Sequence, residues 1–176
     1  MKLVKSAFLL SLLMALTACV SKIAVPPDMP KASFTVTVNG FMEDSSLMNN
    51  EYVRIDMSNA DKTWEGYHIV KPDQTRYELD IPADQALTMV VNLMQGGGKI
   101  ELFGGGGSFS ASCGLIMPIQ VSPGGKVDFV FNLEHESNPD KIAGAVIISG
   151  CDAKLTIDDN TPQTLVGEAS FTQHTP

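Results

Sequence analysis

Positive charge is scarce in this chain of 176 residues, where 12 Lys and Arg stand against 20 Asp and Glu. The basic residues form no cluster. That excludes nucleic acid as a partner, since phosphate backbones are held by grouped Lys and Arg. The same imbalance argues against electrostatic docking on anionic lipid head groups. The apolar run from Ala7 to Leu16 is too short to cross a bilayer as a helix. Helical periodicity is almost absent, and only Pro82 to Leu87 and Asn138 to Ala143 could each make a single helical turn. Cysteine is limited to three residues, with no CxxC pair and no nearby histidine pair to complete a zinc site.

Catalytic and cofactor motifs fail on their spacing. Glu134-His135-Glu136 lacks the second histidine that a helical zinc motif needs four residues on, where Pro139 stands instead, so it reads as a solvated loop. Gly96 to Gly98 and Gly104 to Gly107 could cradle phosphate, but Gly98-Lys99 is followed by Ile100 and not by Ser or Thr. These runs read as two loops flanking a short strand, Lys99 to Phe103. Gly106-Gly107-Ser108-Phe109-Ser110 misses the closing glycine of a nucleophile elbow. Asp158-Asp159-Asn160 lacks the spacing of a calcium loop and reads as a polar turn. No enzyme activity, no metal and no cofactor is therefore expected.

What the chain does carry begins at its start. Lys2 and Lys5 precede the apolar run, and Thr17-Ala18 lead to a cysteine. A charged head, a short apolar middle and a small-residue exit describe a secretory signal. Leu16-Thr17-Ala18-Cys19 resembles the lipobox of bacterial lipoproteins. That resemblance implies cleavage after residue 18 and acylation of Cys19, leaving 158 residues (176 − 18) held in the membrane by acyl chains such as palmitate. Loss of Lys2 and Lys5 leaves ten basic residues against twenty acidic ones (12 − 2 = 10), a net charge of −10. The same resemblance implies the outer membrane, since Val20 stands where an aspartate retains lipoproteins of the best-known sorting systems at the inner membrane. Residues 19–31, with Pro26, Pro27 and Pro30, read as an extended tether below a single domain at 32–176.

From Ala32 onward the hydrophobic period is two. Phe34, Val36 and Val38 alternate with polar residues, as do Val53, Ile55 and Met57, and then Tyr77, Leu79 and Ile81. Such alternation marks strands with one buried face. Further strands are expected at Leu87 to Met94, Leu115 to Val121, Val127 to Leu133, Ala145 to Ser149, Ala153 to Ile157 and Leu165 to Phe171. The first of these is apolar on both faces and is expected at the centre of a sheet. Ser122-Pro123-Gly124-Gly125 has the residues of a type II turn and reads as a hairpin between its flanking strands. Pro118, lacking an N–H, points to an edge or a bulge. The fold class expected is an antiparallel β-sandwich, immunoglobulin-like or transthyretin-like, with a small β-barrel as the alternative.

Cys113 shares parity with Leu115, Met117, Ile119 and Val121, and Cys151 with Ala153, Leu155 and Ile157. Both sulfurs should point into the core, and in an exported protein they read as a disulfide. Met57, Met89 and Met117 fall at inward positions and read as core filler. Phe41, Met42, Leu47 and Met48 form an apolar yet irregular stretch, which reads as packing over the end of the sandwich, with a partner-binding loop as the alternative. Trp64 and Tyr67 could offer a sugar-stacking face, although a single tryptophan in a β-domain is more often part of the core. The function expected is a non-catalytic envelope lipoprotein that binds another envelope protein or has a structural role. A lipoprotein binding sugar, lipid or metal is the alternative.

Overall fold

The computed structural model describes residues 22–42, 50–100, 107–137 and 146–174. The described residues contain ten strands: β1 (Lys31–Asn39), β2 (Asn50–Asn59), β3 (Glu65–Val70), β4 (Arg76–Pro82), β5 (Leu87–Ile100), β6 (Gly107–Ile119), β7 (Lys126–Ser137), β8 (Val146–Ile157), β9 (Gln163–Val166) and β10 (Glu168–His174). They form two five-stranded sheets, ordered β4-β1-β7-β8-β9 and β10-β6-β5-β2-β3. The architecture is a β-sandwich, and neither sheet closes into a barrel. Among the described residues, every pairing between these ten strands is antiparallel except that of β1 with β7, which is parallel. In an immunoglobulin constant domain the first strand neighbours the second. Here β1 lies instead between β4 and β7.

The inward positions of both sheets fill the space between them. The first sheet contributes Phe34, Phe129 and Phe131, whose rings stack in series with centroids 6.4 and 6.0 Å apart. The second presents Met57, Met89 and Met117, which are direct neighbours across β2, β5 and β6. All three methionines are at most 2 % exposed. Aromatic rings on one side and flexible, unbranched thioethers on the other share one buried core, and thioethers adapt readily to irregular gaps. Each such side chain contributes roughly 1.5–3 kcal/mol by leaving water. β5 is the middle strand of its sheet, as its apolar character on both faces implied.

Several expectations need correction. Ser122 to Gly125 does make the turn, with Gly124 at φ +74° and Gly125 N donating to Ser122 O at 2.9 Å. It does not make a hairpin, because β6 and β7 lie in different sheets and the turn carries the chain from one to the other. Gly96 to Gly98 belong to β5 and not to a loop, and Gly97 sits directly opposite Phe109 on β6. Lys99 and Ile100 end that same strand, while residues 101–106 lie outside the described residues. The segments expected as two strands around Gly150 are one strand, β8, interrupted by a bulge. The segment expected as one strand, Leu165 to Phe171, breaks at Gly167 into β9 and β10 on opposite sheets. Pro82 to Leu87 forms no helical turn, and Asn138 to Ala143 lies outside the described residues.

Pro118 stands at a local edge without a bulge. The β5–β6 register runs unbroken from Leu87–Ile119 to Gly97–Phe109, whereas β10 pairs with β6 only as far as Gly114. Cys113 on β6 and Cys151 on β8 form a disulfide with Cα atoms 6.1 Å apart, which fastens one sheet to the other.

Candidate functional site

At the end of the sandwich where β2 begins and β5 and β7 finish, the inward row of side chains turns from apolar to polar. Glu51 continues the row of Val53, Ile55 and Met57, Gln95 that of Met89, Val91 and Leu93, and His135 that of Phe129, Phe131 and Leu133. Glu51 is 3 % exposed and Gln95 1 %. A buried carboxylate needs partners, and this one has three. Its Oε1 accepts from Gln95 Nε2 at 3.0 Å and from His135 Nε2 at 2.7 Å, and its Oε2 accepts from Met42 N at 3.2 Å. Gln95 also reaches across to β8, donating to Val146 O at 2.9 Å and accepting from Ile148 N at 3.2 Å. Met42 Sδ lies 3.7 Å from the same amide nitrogen.

The bulge in β8 makes this arrangement possible. Glu134 pairs with Gly150 but His135 pairs with Ile148, so Ser149 is the extra residue. An extra residue re-aims the side chains beyond it. Ile147 and Ile148 consequently both become buried, the former against Phe109 and Phe171 in a small second cluster. His135 is thus no solvated loop residue: its side chain is 12 % exposed and joins β7 to β2 across the sandwich.

The chemistry of this cluster is that of a clasp. An acid–histidine pair acts as a base only when a nucleophile or substrate proton lies within hydrogen-bond reach. Here the carboxylate oxygens and the Gln95 amide are all engaged by protein atoms from both sheets and from the β1–β2 connection.

The other candidate residues separate. Phe41 and Met42 are half-buried and line an open groove with Gly40, Pro72 and Thr75. Leu47 and Met48 lie outside the described residues, as does Cys19. Trp64 is 5 % exposed within the main core, and its Nε1 donates to Ala24 O at 3.0 Å. Tyr67 carries the Arg54 guanidinium over its ring at 5.1 Å. Trp64 is thus a core residue, and it shares no open face with Tyr67 on which a sugar could stack. Arg54 in turn holds Asp56 through two nitrogens at 2.8 to 3.0 Å, and this hydrogen bonding raises the guanidinium pKa above its already high value. Asp158, in a left-handed turn at φ 51°, accepts from Lys126 N at 2.8 Å and so serves the turn between β8 and β9.

Fold and site together define a two-sheet sandwich fastened by a disulfide at one side and a polar clasp at one end. No known family, curated protein or solved structure matches the chain.

Proposed function

We propose that the protein is a non-catalytic lipoprotein of the bacterial cell envelope, held in the outer membrane by acyl chains on Cys19, whose sandwich binds another envelope protein. The observation that carries this reading is Leu16-Thr17-Ala18-Cys19 at the end of a signal-like leader. The Cys113–Cys151 disulfide supports export, since such bonds persist in oxidising compartments. The engaged state of the Glu51 cluster supports a structural role over catalysis. The groove lined by Phe41 and Met42, which precede Leu47 and Met48 in the sequence, is the surface proposed for the partner.

The test has two parts. Mass spectrometry of protein purified from native membranes should find Cys19 as the acylated first residue, and an unmodified start elsewhere would defeat the lipoprotein reading. Crosslinking in intact envelopes should then return the same partner repeatedly, with yield reduced severalfold by a Leu47→Ser, Met48→Ser double variant. Undiminished capture would move the contact to another surface.

A further inference from the structure

Residues 22–31 fall in the stretch read from sequence as tether, yet they are fixed to the domain. Lys22 bridges to Tyr67 on β3 in parallel, and Ile23 N donates to Tyr67 O at 2.9 Å. Ile23 packs against the core, and Gly66 leaves it the room, because a Cβ there would come within 3.0 Å of the Ile23 backbone. Ala24 O takes the Trp64 indole hydrogen, Met29 packs on the core, and Pro30 O accepts from Ala83 N at 2.9 Å. The segment is thus a strap across the side of the sandwich where β3 and β4 are the outer strands. Beneath it His68 and Tyr77 meet edge to face at 4.2 Å.

This inference rests on the acylation of Cys19 proposed above. Only Val20 and Ser21 lie between Cys19 and the first strapped residue. Whatever their conformation, three peptide units reach at most about 11 Å. An acylated cysteine sits at head-group level. We infer that the domain is not raised on a tether but lies against the phospholipid head groups, with its β3/β4 side facing the bilayer and its β9/β10 side away from it. The far edge is about 19 Å higher, four strand spacings of roughly 4.8 Å across the sheet. Charge does not set this orientation, for exposed Lys22 and Lys71 are mixed along that side with Asp28, Glu65 and Asp73. The short leash sets it, so it should resist salt.

The experiment uses the full, cell-processed protein reconstituted in phosphatidylcholine vesicles doped with a nickel-chelating head-group lipid. Spin labels are placed at Glu65→Cys on β3 or Thr164→Cys on β9, both exposed. The nickel should relax the label at position 65 severalfold more than that at 164, in low and high salt alike. A flexible insert of about twelve Gly and Ser residues after Ser21 adds roughly 19 Å of mean reach and should level the two. Equal relaxation at both positions in vesicle-bound protein overturns the docked orientation while leaving the anchor standing. Failure of the protein to float with the vesicles overturns the acylation itself, and the inferred docking with it.

Discussion

His68 is a titratable side chain placed where its charged form is unwelcome. It lies on the inward side of β3 among Gly66 and Val70, its Nε2 is buried without a hydrogen-bond partner, and the ring meets Tyr77. Burial pushes its pKa below the ordinary 6.5, and the positive charge of Lys22 on the strap pushes it further down. The unfolded chain takes up a proton near pH 6.5 while the folded chain resists it. Stability contributed by neutral His68 is therefore complete above about pH 6.5 and is lost as the pH falls from there towards the depressed folded value. Urea midpoints measured at pH 7.5 and 5.5 should fall less for His68→Phe, which keeps the ring contact and cannot ionise, than for the parent. Equal falls would mean that His68 does not titrate against folding.

At the scale of the elements, parity decided both what could be read in the sequence and what was missed. Long runs alternating without exception, such as those of β1, β2 and β7, announced themselves. β3 did not, since Gly66 and His68 occupy two of its inward positions and interrupt the apolar row. The Glu51, Gln95 and His135 cluster was legible on the same principle, because each continues the inward row of its own strand. Polarity concealed it: a charged residue beyond the last apolar one reads as the start of a loop. The bulge at Ser149 was concealed as well, for an extra residue looks like a break between two strands. Sheet membership was the least visible feature. The turn at Ser122 to Gly125 has the same chemistry whether it folds a hairpin or crosses between sheets, and only the partners of the flanking strands decide. If the clasp holds the sheets together, Gln95→Leu should cost about 3 kcal/mol, because it leaves the Ile148 N–H and a Glu51 oxygen buried with a partner removed. A loss below about 1 kcal/mol in urea unfolding would show that the end of the sandwich does not depend on it.

For the whole molecule the disulfide and the chain that passes over it work together. Cys113 and Cys151 are 38 residues apart, a loop whose closure restricts the unfolded chain by roughly 4 kcal/mol. That is a large share of the ~5–15 kcal/mol by which a domain is usually stable. The Cys113→Ala, Cys151→Ala variant should unfold at markedly lower urea, and the parent should expose no alkylatable thiol at either position after denaturation. A midpoint shift worth less than about 1 kcal/mol would contradict the assigned contribution. Gly167 crosses directly over the bond: its N–H binds Cys151 O at 2.9 Å, and a Cβ there would come within 3.1 Å of Cys113 Sγ.

The parallel pairing of β1 with β7 has a temporal side. Phe34 stands beside Val127 and Val36 beside Phe129, so the first strand of the domain finds one of its two neighbours only after more than half of the domain's chain has followed it. Until then β1 can rest on β4 alone, with its other edge open. Contacts between such distant positions slow folding, because the intervening chain must be brought together before the pairing rewards it. The β1–β7 ladder can therefore close only once β7 is available, and the first strand of the domain is among the last to have both its edges covered.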